Sequence, residues 1–485
     1  MECPRTGYGA GVPSVVIRTH SAGGDFGPLR AEFELPGAFT AEVLAEAEAA
    51  AIDPIESAAA RLDATALPLV TIDPPGSKDL DQAMLIERRS AGFRVHYAIA
   101  DVAAFVRPGG AMDLEARRRG QTLYLPDGNV PLHPPVLSEG AASLLPGEVR
   151  PAVLWTVETD NSGELRSVLV RRALVRSTVQ FDYETVQADL DAGTAHPSVA
   201  ALPELGRLRR ELAVRRGGVE LQLPEQEITA DSDGEWVLAR RPRNQVDAWN
   251  AEISLLTGMA AANIMIEAKV GVLRTLPAAE AEAVDWLRRS AHALGIDWPE
   301  HVSVSELLAG LDPRRPESLA LYADTTRLLR GAGYTSFDGE LPELTAHAGI
   351  GGAYAHVTAP IRRLVDRFAT EVCLAVTAGR PVPDWVRAAL TALPDEMSAS
   401  DTLAARVERA CLDQVEAWTL AERIGGTFEA VVLRAEENRA EVIIEDPPVI
   451  AKCSGERLPE GARIQVRLTA VDVERRKVAF ERVPA

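Results

Sequence analysis

Thr71-Ile72-Asp73-Pro74-Pro75-Gly76-Ser77-Lys78-Asp79-Leu80-Asp81-Gln82 is the most telling stretch of the chain. Leu69-Val70-Thr71-Ile72 reads as a buried strand that delivers Asp73 at its end. Pro74-Pro75-Gly76 is a turn signal. Asp79 and Asp81 alternate with Leu80, so in extended chain they face the same way. Three carboxylates converging at a strand end repel one another unless a cation lies between them. Magnesium takes oxygen ligands and keeps waters that a substrate phosphate can replace. Bound divalent ions activate water and stabilise the leaving oxygen of a phosphodiester. A solvated acidic loop is the competing reading, because such spacings also arise by chance.

Strand texture continues outward from this stretch. Ala83–Ile86 and Phe93–Ala100 read as strands, and Val153–Glu158 and Leu165–Val175 extend the sheet. The apolar spacing becomes helical from Trp249 to about Lys269, and again over 279–295 and 360–378. Strands early and helices late predict an α+β domain over residues 66–423.

Residues 1–65 predict a short, partly helical module. The first 36 residues read as loops with short strands such as Val15-Val16-Ile17. Thr40 is placed to cap an alanine-rich helix to about Ala51. Asp53-Pro54 predicts a second helix to about Leu62, the two resembling a helix-turn-helix. Residues 424–485 return to strands, among them Gly426–Leu433, Arg439–Glu445, Arg463–Ala470 and Lys477–Glu481. About five short strands in so little chain predict a closed β-barrel of the OB type.

The 485 residues are 46% hydrophobic and 25% charged, an ordinary globular composition. There is no apolar run of about 18 residues, so no membrane span is expected. The start lacks a basic segment followed by an apolar one, which predicts no secretory leader. Cys3, Cys373, Cys411 and Cys453 are too scattered for a disulfide framework or zinc ribbon, which points to a cytoplasmic protein. The formal charge of −20 argues against nucleic acid only as a global sum. Residues 425–485 carry 10 basic and 11 acidic side chains, against 4 and 10 in residues 1–65. Nearly all the cations are arginine, which suits bidentate phosphate contacts.

A second stretch, His356-Val357-Thr358-Ala359-Pro360-Ile361-Arg362-Arg363-Leu364-Val365-Asp366-Arg367, also carries chemistry. Pro360 predicts a helix start with Arg362 and Arg363 in the first turn. That is the unfavourable end for positive charge, and an anion bound there would resolve the conflict. An ion pair of Asp366 with either arginine is the plainer reading.

Taken together, the stretches resemble the ribonuclease II/ribonuclease R family of processive 3′-to-5′ exoribonucleases. The resemblance runs from Leu69 to about Cys373. It is carried in order by TIDPPGSKDLDQA (71–83), AIADVAAFV (98–106), YLPDGNVPLHP (124–134) and LSEGAASLLPGEVRPA (137–152). STVQFDYETV (177–186), RGGVELQLPE (216–225), NAEISLLTGMAAAN (250–263) and HAGIGGAYAHVTAPIRRLVDRF (347–368) follow. The tail from Gly425 resembles the ribosomal-protein-S-one type of OB fold that ends these enzymes.

The resemblance implies a magnesium-dependent hydrolase, with manganese as a substitute, that threads single-stranded RNA and releases nucleoside 5′-monophosphates. It puts Asp73, Asp79 and Asp81 on three of the family's four catalytic, metal-binding aspartates. Asp81 falls on the one needed for cleavage rather than binding. Arg362, beside Arg363, falls on the arginine that clamps phosphate. Tyr124 falls on a base-stacking tyrosine, and Tyr183 on one that helps set the product length. This sequence departs from the pattern at Gln82, where the family has its fourth aspartate, and at Ala348 and Ala359 in place of Phe and Ser. No aromatic residue occupies 299–321, where a second stacking phenylalanine is expected, and residues 1–65 are too short for two cold-shock domains.

The expected function is therefore that of a monomeric RNA exonuclease that also enters structured RNA from a 3′ overhang. The alternative is an RNA-binding protein whose nuclease site is weakened or lost through Gln82. A glutamine still offers a metal its carbonyl oxygen, but no charge.

Overall fold

Six strands build the sheet around the aspartate stretch. The computed structural model describes residues 15–17, 24–55, 60–223, 225–230, 235–241, 244–456 and 458–484. In hydrogen-bonded order the strands are Leu62–Asp63, Leu165–Phe181, Leu69–Ile72, Gln82–Arg89, Gly92–Ala100 and Val149–Asp160. The long strand Leu165–Phe181 runs antiparallel to Val149–Asp160 over its first part. Its last residues pair parallel with Leu69–Ile72. The ladder therefore returns to where it began.

Alternation decides what each face of the sheet covers. Val70, Met84, Ile86, Val95, Tyr97 and Ile99 join one core with Ile253 and Leu256 of the helix Gln245–Ala268 and Phe368 of the helix Leu364–Thr377. Leu69, Ala83, Leu85, Ala98 and Ala100 join a second core with Val43 and Ala47 of the helix Ala41–Ile52. Thr40 caps that helix as expected, its side chain accepting from the Val43 N–H. The Gln245–Ala268 helix opens with a capping box between Asn244 and Asp247. Gly258 within it admits close packing: a Cβ there would lie 2.2 Å from the Tyr354 ring and 2.6 Å from the Ala355 carbonyl oxygen.

Among the described residues, the helix expected from Asp53 to Leu62 is absent at both of its ends. Residues 53–55 are bends or coil, and Leu62 is in a strand; residues 56–59 lie outside the described residues. Leu62 and Asp63 pair with Ala173 and Leu174, and the Ala64 N–H donates to the Leu174 carbonyl. Ladder bonds to a preformed strand outweigh the weak propensity of a short helix. The expected division at residue 65 thus falls between two strands of one sheet.

Five strands close the C-terminal barrel: Thr427–Glu436, Arg439–Glu445, Pro448–Ser454, Lys477–Arg482 and Arg463–Asp472, in that neighbour order. This is the expected OB-type closure. Its interior residues Val442 and Phe480 share a core with Cys411 and Val415 of the long helix Leu393–Leu420, and with Phe26 and Leu29 near the start of the chain. The overall class is α+β, a mixed domain followed by a small barrel. No helix among the described residues is long and apolar enough to cross a membrane.

Candidate active site

The aspartate stretch is shaped by its turn and by one serine. The Ser77 N–H donates to the Pro74 carbonyl at 3.1 Å, and Gly76 takes φ +82°. Pro-Pro-Gly followed by that bond is a type II turn, which needs a positive φ at its third residue. Beyond the turn, Ser143 brackets the chain. Its hydroxyl accepts from the Leu80 N–H at 2.9 Å and donates to the Lys78 carbonyl. Leu80 is thereby fixed in the core, fully buried, with Asp79 and Asp81 on either side of it.

Asp81 reaches the second stretch. Its Oδ1 accepts from the Ile361 N–H at 2.8 Å. Its Oδ2 lies 3.3 Å from the Arg362 Nε. Arg362 also acts electrostatically on Asp73 and Asp79, so one guanidinium serves all three carboxylates. Burial is the main influence on each of them. It pushes Asp73 up to about 7, with repulsion from Asp79 added and Arg362 opposing. It raises Asp79, against Arg362 and a hydrogen bond from Tyr124. Asp81 is pushed well above the usual carboxylate range, again by burial and against Arg362 and Ile361.

These shifts describe negative charge without enough compensation. Asp73 Oδ2 and Asp81 Oδ2 are enclosed and accept no hydrogen bond. Both facts fit a divalent cation. Yet the described residues hold no cluster of three acidic, histidine or cysteine side chains arranged as a metal cage. The three aspartates share one strand end without converging as closely as the spacing suggested. Magnesium tolerates this, because it is commonly held by one or two carboxylates together with substrate phosphate and water.

The other expected site residues lie as follows. The Tyr124 hydroxyl donates to Asp79 Oδ2 at 3.3 Å, with the ring half-buried. Tyr183 is 8% exposed and belongs to the sheet core; its hydroxyl accepts from Asn250 Nδ2 at 3.3 Å. Gln82 donates its side-chain N–H to the Thr358 carbonyl. The helix expected at Pro360 begins only at Leu364, so Arg362 and Arg363 precede it. The Thr122 N–H donates to the Arg362 carbonyl and the Leu364 N–H to the Gly120 carbonyl. These bonds to a neighbouring segment hold 360–363 outside a helix. Arg363, expected to face RNA, instead closes its fork on Asp366, with Nε–Oδ2 and Nη2–Oδ1 both 2.9 Å. The plainer reading of Asp366 is therefore the one realised.

Two contributors, and one further contact of Asp366, were not evident in the sequence. Ser143 has no signature as a lone serine. Tyr97 is buried in the sheet with its hydroxyl 2.8 Å from Ser254 Oγ, and its phenol is affected by Asp73 and Asp81. Asp366 also accepts from the Ala359 N–H at 2.7 Å. Ser143 and Tyr97 act on residues 63 and 157 positions away, whereas Asp366 reaches back only seven.

Residues 61–376 match the RNB domain. The chain belongs to the RNB family. Residues 426–483 match the RNase II-type exonuclease C-terminal S1 domain, which coincides with the barrel. Ribonuclease R of Escherichia coli is 28% identical over 477 residues, covering 88% of this RNB chain and 58% of the relative. The chain thus spans little more than half the length of that relative. Ribonuclease R of Mycoplasma genitalium superposes with a TM-score of 0.83 at 21% identity, covering 94% of this chain and 77% of that one. Yeast Ssd1, described as a pseudonuclease, superposes with a TM-score of 0.69 at 17% identity, covering 86% and 54%. The RNB fold alone therefore does not imply catalysis; the site residues must carry that argument.

Proposed function

We propose that this RNB protein is a 3′-to-5′ exoribonuclease. It hydrolyses single-stranded RNA processively to nucleoside 5′-monophosphates, with magnesium as cofactor and manganese as a substitute. The observation that carries the reading is the junction of Asp81 with Ile361 and Arg362, beside Asp73 and Asp79. It puts a fixed cation next to carboxylates whose burial that cation only partly offsets. That is what a site handling a phosphodiester requires: charge placed in advance where charge develops in the transition state.

Asp73, Asp79 and Asp81 would hold the metal, which supplies Lewis acidity and an activated water. Arg362 binds the scissile phosphoryl oxygens and neutralises their charge. Asp81 orients Arg362 and the backbone of the 358–362 loop. Tyr124 steadies Asp79 and offers a ring for base stacking. Tyr183, held by Asn250 in the core, forms part of the wall that limits how far the RNA end travels. The three retained aspartates speak against the alternative of a binding protein without chemistry. Clamping of phosphate and stacking of bases predict tolerance of sequence. Preference for RNA over DNA would come through the 2′-hydroxyl.

Ribonuclease R of Mycoplasma genitalium has been solved in complex with double-stranded RNA. That supports extending the proposal to duplexes with a 3′ overhang. We place the protein in the cytoplasm as a monomer. The deciding experiment uses 5′-labelled single-stranded RNA, with and without magnesium. A ladder shortening from the 3′ end, only with metal, is the expected result. Internal cuts, or no cleavage with either metal, would overturn the reading.

A further inference from the structure

Gln82 follows Asp81 directly and opens the strand Gln82–Arg89. Its amide nitrogen donates to the Thr358 carbonyl oxygen. A carbonyl oxygen only accepts, so the amide is oriented with its nitrogen toward Thr358. Three residues further along the same loop, Asp81 accepts from the Ile361 N–H and pairs with Arg362. Two consecutive side chains, one just before the strand and one at its first residue, thus grip both ends of the turn 358–361.

The rest of the loop is fixed differently. Its far side is tied by backbone bonds to Gly120 and Thr122, and Asp366 accepts from the Ala359 N–H. At Thr358 the anchor is the Gln82 amide. The helix begins only at Leu364, and before it a single turn forms, the Ala359 carbonyl accepting from the Arg362 and Arg363 N–H groups at 3.2 and 2.9 Å, which leaves the Thr358 carbonyl outside that turn. Thr358 is itself buried, and a buried carbonyl without a donor is costly. An aspartate at position 82 would be too short and would present a carboxylate to that carbonyl. Gln82 and Ala359, two positions where this chain departs from the resembled pattern, adjoin at this contact.

We propose that Gln82 is a positioning residue that latches the Thr358 end of the loop and so sets where the Arg362 guanidinium stands. In this chain the amide nitrogen of position 82 works through a hydrogen bond to the loop. The inference rests on the proposed binding of RNA phosphate by Arg362.

The test measures RNA affinity of the full chain with all metal chelated, by fluorescence anisotropy of a labelled single-stranded oligomer at low salt. Gln82→Glu keeps the side-chain length and removes the donor. Gln82→Met keeps the length and removes polarity, and it decides the matter should the glutamate variant fail to fold. Both are expected to weaken binding by about tenfold, as loss of one buried hydrogen bond predicts. In an Arg362→Ala background neither is expected to weaken it further, because the effect passes through Arg362. Affinities within twofold of the unaltered chain would overturn the latch while leaving the function standing. So would an equal loss in the Arg362→Ala background, which would mark a merely structural role. No RNA binding by the unaltered chain would overturn the functional reading and the latch with it.

Discussion

Asp81 and Arg362 meet with the carboxylate Oδ2 3.3 Å from the guanidinium Nε. The aspartate side chain is 4% exposed and the arginine 21%. The arginine is therefore anchored at its buried edge. This asymmetry gives the two residues different expected phenotypes.

Asp81→Asn is expected to abolish cleavage and leave RNA binding nearly intact. An asparagine carbonyl still accepts from the Ile361 N–H, and the Thr122 N–H still holds the Arg362 carbonyl, so the backbone that carries Arg362 stays in place although its carboxylate partner is lost. The charge that organises metal and water is lost. Single-turnover cleavage and anisotropy on the same preparation check both halves. A rate above about a tenth of the unaltered chain's, a barrier change of less than about 1.4 kcal/mol, would sink the prediction.

Arg362→Lys keeps the charge and loses the planar fork. A fork pairs with a carboxylate on one edge while binding phosphate on the other, and an ammonium does not. We expect kcat to fall by about a hundredfold, roughly 2.7 kcal/mol of barrier. Steady-state kinetics with a short RNA decide it; a variant within threefold of the unaltered chain contradicts it.

Magnesium is expected to raise Tm without RNA present, since it would bind carboxylates that only the folded chain assembles. The rise should be larger at pH 8 than at pH 6. Asp73, pushed up to about 7 by burial, carries a proton at the lower pH that the cation must displace. Thermal melts at both pH values, with and without metal, test this. An equal shift at both would remove Asp73 from the metal's shell.

The barrel's seat should weaken as pH rises. Glu416 is 2% exposed and accepts from Gln226, whose amide also donates to the Pro448 carbonyl of the barrel. Burial, with Asp413 added, pushes Glu416 up to about 7 against the pull of Arg409. Asp324, where a helix meets the barrel, is pushed up to about 6 by burial, against Ser290 and Arg434. For groups raised in the folded state, stability is full below the unfolded pKa near 4 and is lost as pH climbs to 6–7. Urea unfolding in chelator at pH 5 and pH 8 should show a loss of roughly 1–3 kcal/mol. Glu416→Gln should shrink that difference; an unchanged pH dependence in the variant refutes the role of Glu416.

Local pattern made much of the fold legible. Alternating apolar residues at 83–86 and 93–100 face two cores as a two-residue period requires. The Pro-Pro-Gly turn, the Thr40 cap and the polar turns of the barrel are each decided within a few residues. The three aspartates were visible because they lie within nine residues of one another.

What the sequence alone determined, then, was the strands, the barrel, the aspartate stretch and, through ordered motifs, the family. The tertiary structure decided the partnerships. Asp81 and Ile361 are separated by 280 positions. Ser143 acts on Leu80 from 63 positions away. The helix at Pro360 gave way to a loop, and the helix at Asp53 gave way at Leu62 to a strand. Arg363 turned to Asp366, and Tyr183 entered the core. Apart from the Arg363–Asp366 pair, which is three residues apart, a hydrogen bond or burial against a distant element outweighed a local preference worth a few tenths of a kcal/mol to about 1 kcal/mol. Those long-range contacts exist only once the chain has folded, so no short window of sequence contains them.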